Sequence, residues 1–179
     1  MNKPTYSQDL CRKAHEIKLL ICDVDGVLSN GQVIIGNQGE ELKTFNIKDG
    51  LGLKSLMKHN IQVAIITGRR SEIVEKRCRE LGIKHCYQGQ SDKIAAYEEL
   101  CDHLSLEPRQ VCHVGDDLPD LPLMRRSGLG VTVADGHWFV REKADWTTQN
   151  NGGFGAVREI TDLILESKGL LEKIHQEYC

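Results

Sequence analysis

The sequence contains no apolar run long enough to cross a membrane, although 40% of its 179 residues are apolar. The run at 18–22 is among the longest, and it falls well short of the roughly 20 residues that a membrane-spanning helix needs. Residues 1–16 are polar and include Asp9 and Glu16, so they lack the apolar centre of a secretory signal. These absences predict a cytoplasmic protein without a membrane partner.

An excess of basic residues is also missing, because the 26 Asp and Glu outnumber the 23 Lys and Arg. The Lys and Arg residues are scattered instead of forming a basic band that could hold a nucleic-acid backbone, so we expect no nucleic-acid partner. Internal repeats and low-complexity tracts are absent as well. A chain of this length has room for one substantial core, which predicts one domain over residues 1–179.

The seven cysteines do not form the pattern of a disulfide scaffold or a zinc site. Their number is odd, none of them forms a Cys-x-x-Cys pair, and several fall in segments that are expected to be buried. The neighbours His85-Cys86 and Cys112-His113 offer soft metal ligands, but adjacent residues of a strand point to opposite faces. We therefore expect reduced thiols and interpret both pairs as ordinary strand residues.

Short runs rich in Val and Ile alternate with stretches of helical periodicity, which is typical of parallel strands joined by crossover helices. The predicted strands are Lys18–Asp23, Ile61–Thr67, Lys84–Tyr87 and Val111–Gly115, with a fifth at Gly130–Val133. The predicted helices are about Gly50–His59, Ser71–Leu81, Lys93–Leu104, Leu118–Arg126 and Ala156–Ser167. The fold class is therefore α/β, with a parallel sheet flanked by helices.

One interval interrupts this alternation after the first strand. Segments 32–35 and 41–45 are strand-like and flank the turn sequence Gly36-Asn37-Gln38-Gly39, which predicts a β-hairpin. The hairpin is thus a small insertion at about residues 32–46. A polar tail is predicted at about residues 169–179.

The sharpest sign of chemistry is Asp23-Val24-Asp25-Gly26, which follows the first predicted strand. The carboxyl ends of parallel strands are where α/β folds bind ligands, and two neighbouring carboxylates favour a bound cation. An isolated Asp-x-Asp is more often a turn or a helix cap. Polar groups at the ends of other strands favour the metal site in this sequence.

Three later segments place these polar groups at the same predicted edge. Thr67 is followed by Gly68, so its hydroxyl can donate to a phosphate oxygen at the start of a helix. Lys93 opens the third predicted helix, where its ammonium can neutralise phosphate charge. The sequence Gly115-Asp116-Asp117-Leu118-Pro119-Asp120 ends the fourth strand with three more carboxylates. Each segment alone is a weak signal, but their order along the chain is specific.

Taken in order, these segments resemble the four motifs of the haloacid dehalogenase superfamily over most of the chain. The matching residues are Asp23-x-Asp25, Thr67, Lys93 and Gly115-Asp116-Asp117-x-x-Asp120. The resemblance implies a Rossmann-like fold and a Mg²⁺-dependent reaction in which Asp23 attacks phosphorus and Asp25 serves as general acid and base. It also implies that Thr67 and Lys93 hold the phosphoryl group. The implied metal ligands are Asp23, Asp25 and Asp116.

The same resemblance narrows the reaction. A second Asp at position 25 argues for hydrolysis of a phosphate ester, because the leaving alkoxide needs a proton. A phosphomutase would share this Asp but would normally need a closing cap that excludes water. Asp117 and Asp120 are expected to hold the waters of the metal or to orient Lys93.

The spacing of the motifs leaves no room for a large cap. Thr67 lies 42 positions after Asp25, and Asp116 lies 23 positions after Lys93. The hairpin is the only predicted insertion, which resembles the capless subfamily of the superfamily. Because an open site needs another surface to shield it, we expect a homo-oligomer, and by family likeness a tetramer.

Several segments resemble the phosphatases of 3-deoxy-D-manno-octulosonate 8-phosphate, which act in lipopolysaccharide sugar synthesis. The matching segments are 39–50, 66–69, 87–93 and 152–159. The resemblance implies a small phosphorylated sugar acid as substrate, with contacts at Asp25, Asn46, Ile47, Lys48, Asp49, Gly50, Lys54, Arg69, Arg77 and Lys93. Arg69 and Arg77 suit the carboxylate of such a ligand. Lys48 and Lys54 stand where the family often has Arg, so both positions lack the planar bidentate fork.

Other interpretations remain open at this point. A phosphatase for a nine-carbon sialic-type sugar phosphate would share the capless architecture and much of the motif set. A non-catalytic oligomerisation module of the same fold would be free to lose Asp25 or Lys93, whereas this sequence keeps every polar group that the reaction needs. Arg77 has a simpler alternative as well, since it can pair with Glu80 on the same helix.

Overall fold

A computed structural model describes residues 5–179, so the first four residues of the predicted domain lie outside the described part. The strands are β1 (Leu19–Cys22), β2 (Ile34–Ile35), β3 (Glu41–Leu42), β4 (Gln62–Thr67), β5 (His85–Gln88), β6 (Val111–Gly115), β7 (Leu129–Thr132) and β8 (Trp146–Thr147). Six of them form a parallel sheet in the order β5-β4-β1-β6-β7-β8, whereas β2 and β3 pair antiparallel as a hairpin. The predicted α/β class and the hairpin are confirmed.

Helices cover both faces of the sheet. They are α1 (Gln8–Glu16), α2 (Ile47–Lys58), α3 (Glu72–Leu81), α4 (Lys93–Leu104), α5 (Leu121–Arg126), α6 (Trp138–Lys143), α7 (Ala156–Ser167) and α8 (Leu171–Gln176). The larger core lies between one face and α1, α2, α3 and α7, and a smaller core lies under α4 on the other face. Within residues 5–179, no helix is both long enough and apolar enough to span a membrane.

Strand β1 is the centre of the sheet, and its side chains alternate between the two cores. Leu20 and Cys22 pack into the larger core. Leu19 and Ile21 pack into the smaller one. All four residues are fully buried, which explains why this strand is a continuous apolar run instead of an alternating pattern.

The structure extends the predicted set of elements. Helices α1 and α6 and strand β8 were not predicted, and part of the predicted polar tail forms α8, where Leu171 and Ile174 are buried. The helix predicted from Leu118 divides into a 3₁₀ turn and α5. Pro122 accounts for this division, because it lacks the N–H that would donate to the carbonyl of Leu118 in a continuous α-helix.

The sheet register brings the chemically interesting strand ends to one edge. Cys22, the last residue of β1, pairs with Ile65 of β4 on one side and with Val114 of β6 on the other. Asp23 therefore lies level with the ends of β4 and β6. Thr67 and Gly115, which end those two strands, face the same edge.

Candidate active site

Three carboxylates converge where β1 and β6 end. The N–H of Asp23 donates to the carbonyl of Val114 at 3.0 Å, so the strand pairing continues through this residue. Oxygen atoms of Asp23, Asp116 and Asp120 lie within 4.8 Å of one another. These three residues are called the carboxylate cluster below. Asp23 is only 6% exposed, which removes most of the water that could otherwise screen the repulsion among the three charges.

The ammonium of Lys93 lies against this cluster. Helix α4 begins at Lys93 because the Asp92 side chain accepts a hydrogen bond from the N–H of Ile94 at 2.9 Å. Lys93 Nζ donates to Asp23 Oδ1 and to Asp120 Oδ1, both at 2.7 Å. Burial would lower the pKa of Lys93, but the charges of the two carboxylates outweigh it and raise this pKa. The side chain is therefore a fixed cation at neutral pH.

Asp120 is engaged on both of its oxygens. Oδ1 accepts from Lys93 and contacts His113 Nε2 at 3.3 Å, while Oδ2 accepts from the N–H groups of Asp116 and Asp117 at 3.2 and 3.4 Å. Burial would raise the pKa of Asp120, but hydrogen bonding and charge from His113 and Lys93 outweigh it and lower this pKa. Asp120 is therefore an ionised anchor for Lys93, a position that suits the orienting role expected of it.

Asp116 carries the most strongly shifted carboxyl of the cluster. Burial, followed by the charges of Asp23, Asp120 and Asp117, raises the pKa of Asp116 to about 7. Burial and the charge of Asp120 raise the pKa of Asp23 as well, against the opposing effect of Lys93. The Asp116 carboxylate also occupies the space that a Cβ would need at Gly26, where φ is +97°. Glycine at position 26 is thus required both for the turn and for the approach of Asp116.

The carboxylate cluster fits a divalent cation. Three carboxylates face one ammonium, which leaves an excess of negative charge in a buried place. Mg²⁺ prefers carboxylate oxygens and usually keeps several waters, so two protein ligands suffice. Because both oxygens of Asp120 already accept hydrogen bonds, Asp23 and Asp116 are the residues that would hold the ion.

Asp25 is held by a different set of charges from those of the carboxylate cluster. Its Oδ1 accepts a hydrogen bond from Lys43 Nζ, and Arg69 Nε lies 3.7 Å from its Oδ2. Both cations also contact Glu41 Oε1, Lys43 at 3.3 Å and Arg69 at 3.2 Å. This group of four residues, called the hairpin network below, ties the loop after β1 to the hairpin. The observed partners of the Asp25 side chain are therefore Lys43 and Arg69. The predicted contact of Asp25 with a metal stays a prediction.

Sequence reasoning missed three partners in this region: Lys43, Glu41 and His113. Glu41 and Lys43 are two residues apart, a spacing that puts both side chains on one face of an extended strand. His113 was interpreted as an ordinary strand residue, yet it is a fully buried polar side chain that contacts Asp120. A histidine inside an apolar strand that precedes an acidic loop is the signal that could have revealed it.

Thr67 and Asp117 occupy the expected edge in different environments. Thr67 is buried at the end of β4, and its carbonyl accepts from the N–H of Gln90 at 3.0 Å. The N–H of Gly89 donates to the carbonyl of Arg69 at 3.1 Å, so the turn after Thr67 is fixed by the loop after β5. Asp117 is exposed, and its carboxylate caps the 3₁₀ turn by accepting from the N–H of Leu118 at 2.8 Å.

The predicted sugar contacts at the start of α2 divide into exposed and buried residues. Ile47, Lys48 and Lys54 are exposed. Asn46 is the N-cap of the helix, since its side chain accepts from the N–H of Lys48 at 2.9 Å, and this cap explains why α2 begins before its predicted start at Gly50.

Asp49 and Gly50 are buried inside the chain, and their predicted contacts with the sugar stay predictions. Asp49 Oδ1 accepts from the N–H of Arg158 at 2.7 Å, and burial raises the pKa of Asp49. This contact caps the first turn of α7, where helical N–H groups lack partners within their own helix. Asp49 therefore links α2 to α7, a structural role that the predicted substrate contact did not include.

Arg77 pairs with Glu80 on the same helix, the alternative that the sequence left open. Its Nη1 donates to Glu80 Oε2 at 3.0 Å, and its guanidinium lies 5.6 Å from the ring centre of Phe45. Its Nη2 also lies 3.5 Å from the carbonyl of Asn46. The Arg77 side chain is 16% exposed, so the guanidinium is largely held by this chain itself. Arg69 is half exposed next to Asp25 and is the better placed of the two predicted arginines.

A glycine-rich loop supports the segment that follows Asp25. The N–H of Gly153 donates to the carbonyl of Val27 at 2.9 Å, and the N–H of Gly152 donates to Asp135 Oδ1 at 2.9 Å. A Cβ at Gly152 would overlap the carbonyl of Gly26. Only glycine allows this direct backbone packing, so residues near the end of the chain hold the loop that carries Asp25.

The chain resembles known proteins along most of its length. Residues 85–160 match the haloacid dehalogenase-like hydrolase family. Over 166 residues, the chain is 53% identical to 3-deoxy-D-manno-octulosonate 8-phosphate phosphatase from Yersinia pestis, an alignment that covers 93% of this chain and 89% of that relative.

Solved structures of relatives share the fold. The crystal structure of the phosphatase from Yersinia pestis has a TM-score of 0.91 at 53% identity and covers 92% of this chain and 89% of that chain. The phosphatase of the same name from Moraxella catarrhalis was crystallised in complex with a magnesium ion, a phosphate ion and a KDO molecule. Its TM-score is 0.95 at 42% identity, with 97% and 100% of the two chains covered.

Replacing Asp116 tests the repulsion within the carboxylate cluster. Because the pKa values of Asp23 and Asp116 are raised from 3.8, the folded metal-free protein holds extra protons between about pH 4 and pH 7, and its stability falls as the pH rises through this window. At pH 8 without metal, Asp116→Asn should therefore be more stable than the parent by about 1 kcal/mol. Added Mg²⁺ should stabilise the parent more than the variant.

Thermal unfolding with a chelator and with Mg²⁺, at pH 5 and pH 8, measures both effects. Asp102→Asn is the matched control, because Asp102 is an exposed carboxylate on α4. The control should leave the pH dependence and the response to Mg²⁺ unchanged. If Asp116→Asn also left both unchanged, the cluster would not be the metal site.

Proposed function

The chain belongs to the haloacid dehalogenase-like hydrolases, in the family of 3-deoxy-D-manno-octulosonate 8-phosphate phosphatases, and on this premise we propose that it hydrolyses that sugar phosphate with Mg²⁺ as cofactor. The products would be 3-deoxy-D-manno-octulosonate and phosphate, within lipopolysaccharide sugar synthesis. The observation that carries the proposal is the buried contact of Lys93 with Asp23 and Asp120, beside Asp116. This arrangement offers a nucleophile, a fixed cation and a metal site within one edge of the sheet.

Asp23 is the proposed nucleophile. One of its carboxylate oxygens attacks phosphorus in line and forms an aspartyl phosphate, while the bond to the sugar oxygen breaks. Lys93 holds Asp23 and Asp120 in place, and its ammonium neutralises charge on the phosphoryl oxygens. The Thr67 hydroxyl donates a hydrogen bond to one of these oxygens. A Mg²⁺ ion held by Asp23 and Asp116 would supply further neutralisation of these oxygens.

Asp25 is the proposed general acid and base. It donates a proton to the leaving sugar alkoxide and then takes a proton from the water that hydrolyses the aspartyl phosphate. Its hydrogen bond from the buried Lys43 fixes the orientation of its carboxyl group. The hairpin is therefore part of the catalytic arrangement, since it supplies this contact to a residue of the loop after β1.

Substrate recognition is proposed to depend on Arg69. Its guanidinium is half exposed and lies 3.7 Å from Asp25, so it can reach a ligand bound at the catalytic edge. A planar guanidinium can hold the carboxylate of a sugar acid with two parallel hydrogen bonds. The exposed Ile47, Lys48 and Lys54 on α2 are proposed as further sugar contacts.

Replacement of the nucleophile tests the proposed reaction. Asp23→Asn should lower kcat by about a thousandfold or more, because an amide cannot form the phosphoryl intermediate. Released phosphate is measured with 3-deoxy-D-manno-octulosonate 8-phosphate and with a nine-carbon sialic-type sugar phosphate, each with Mg²⁺ and with a chelator. Asp102→Asn, which alters an exposed carboxylate, should retain the parent activity.

The expected parent result is Mg²⁺-dependent turnover with a higher kcat/KM for the eight-carbon substrate. A preference for the nine-carbon sugar would replace the proposed substrate and leave the reaction class intact. Turnover by Asp23→Asn at the parent rate would exclude Asp23 as the nucleophile.

Removal of the Arg69 guanidinium tests recognition separately from chemistry. Arg69→Ala should raise KM for the sugar acid phosphate about tenfold, the effect of losing one charge-assisted contact. Hydrolysis of p-nitrophenyl phosphate, which has no carboxylate, should change by no more than about twofold. Arg70→Ala is the control, because Arg70 is an exposed arginine in the same turn. An equal loss on both substrates would show that Arg69 acts on catalysis rather than on recognition.

Assembly into a homo-oligomer, with four chains by family likeness, is proposed from the hairpin. Four apolar side chains of this segment are exposed: Val33, Ile34, Ile35 and Leu42. Ile34 and Leu42, which pair across the hairpin, are 48% and 59% exposed, an unusual arrangement for neighbouring apolar residues of a monomer. The proposed partner for this surface is the hairpin region of a second copy of the chain, which would also shield the open catalytic edge.

Light scattering after size-exclusion chromatography tests the assembly. The parent should have a mass about four times the 20.1 kDa of one chain, and Ile35→Glu should lower it, because a charge would be buried at the interface. Trp138→Glu is the control, since Trp138 is 63% exposed on α6. A monomeric parent, or an unchanged mass for Ile35→Glu, would contradict the proposal.

A further inference from the structure

Two cysteines face each other outside the active site. Cys78 lies on α3 and Cys86 on β5, and their Sγ atoms are 3.4 Å apart. The chain turns back between them at Gly82, which has a φ of +81° and ends α3. Strand β5 therefore runs alongside the helix that precedes it, and the two thiols meet although they are eight positions apart in the sequence.

The two thiols differ in exposure and in acidity. Cys78 is buried, whereas Cys86 is half-buried and lines a cavity of about 360 Å³. Cys78 Sγ donates a hydrogen bond to Cys86 Sγ, which lowers the pKa of Cys86 and raises the pKa of Cys78. The more accessible thiol is thus also the one that ionises first, a combination found in cysteines that react with oxidants.

Three buried thiols of the chain lack this combination. Cys22 and Cys112 are fully buried in the centre of the sheet, and burial raises the pKa of each thiol. Cys101 is also buried, and burial raises its pKa as well. Access and acidity therefore favour reaction at Cys86 over these three thiols.

We propose that Cys78 and Cys86 form an oxidation site at which a hydroperoxide produces a disulfide between α3 and β5. The Cys86 thiolate attacks one oxygen of hydrogen peroxide, the O–O bond breaks, and hydroxide leaves as Cys86 becomes a sulfenic acid. The Cys78 sulfur then attacks the Cys86 sulfur, and the S–S bond forms as the sulfenic oxygen leaves as water. Two thiols are oxidised, one peroxide is reduced, and two waters are released.

The cross-link would act close to the catalytic edge. Cys86 pairs with Ile65 in β4, two residues before Thr67. The side chain of Gln88 accepts from the N–H of Ser71, the residue that precedes α3, at 2.8 Å. A bond between Cys78 and Cys86 would therefore close a covalent ring over residues 78–86, which ends two positions before Gln88 and the loop that supports the Thr67 turn.

Peroxide treatment of the full chain tests the site. The parent is incubated with a few equivalents of hydrogen peroxide, unfolded, alkylated and digested with trypsin. We expect the loss of two alkylatable thiols and of two hydrogens in mass, with a cross-link between peptide 78–79 and peptide 85–93 that dithiothreitol removes. The oxidised chain should unfold about 5 °C higher than the reduced chain, because a closed loop restrains the unfolded state.

Variants identify the pair. In Cys78→Ser, the Cys86 sulfenic acid has no resolving thiol, so oxygen adducts should accumulate on Cys86 and the cross-link should be absent. Cys101→Ser, which alters a buried cysteine outside the pair, should retain the cross-link. Absence of the 78–86 cross-link in the peroxide-treated parent would overturn the proposal. The loss of two alkylatable thiols in Cys78→Ser, as many as in the parent, would also overturn it.

Discussion

The repulsion among three closely spaced carboxylates is the constraint on which the catalytic edge depends. Burial, together with the charges of the nearby Asp23 and Asp120, raises the pKa of Asp116 to about 7. A single ammonium, that of Lys93, offsets part of this charge through two contacts of 2.7 Å. The remaining negative charge favours a bound cation. A metal ion between the carboxylates would relieve their repulsion, and this relief would contribute to the binding energy of the metal.

The sheet supplies the geometry that this cluster needs. Parallel pairing of β1 with β4 and β6 brings Asp23 level with the ends of both neighbours, and α4 presents Lys93 at its first turn. The hairpin contributes a second layer of charge, in which Lys43 and Arg69 hold Asp25. The edge thus carries two networks of paired charges, one around Asp23 and one around Asp25. The first is proposed to hold the phosphoryl group, and the second is proposed to serve proton transfer and sugar recognition.

Much of this arrangement could be predicted from the sequence, since it depends on local patterns. Strand β6 and helices α4 and α7 begin and end where their apolar runs and caps indicated. The short helices α1 and α8 were missed because each is stabilised mainly by burying two residues against distant segments, which a local pattern does not reveal. The partners of the predicted site residues were missed for the same reason. The contact of Lys43 with Asp25 depends on how the hairpin folds back, and the cap that Asp49 provides for α7 joins residues 109 positions apart.

The packing of Gly152 and Gly153 against the loop after Asp25 has a consequence for the order of events during synthesis. Asp23 and the loop that follows Asp25 are synthesised about 125 residues before Gly152 and Gly153, which supply their backbone support. An emerging chain therefore lacks this backbone packing until residues 152 and 153 have been made. A chain that stopped before them would carry its acidic loop without the contacts that hold it in the folded protein.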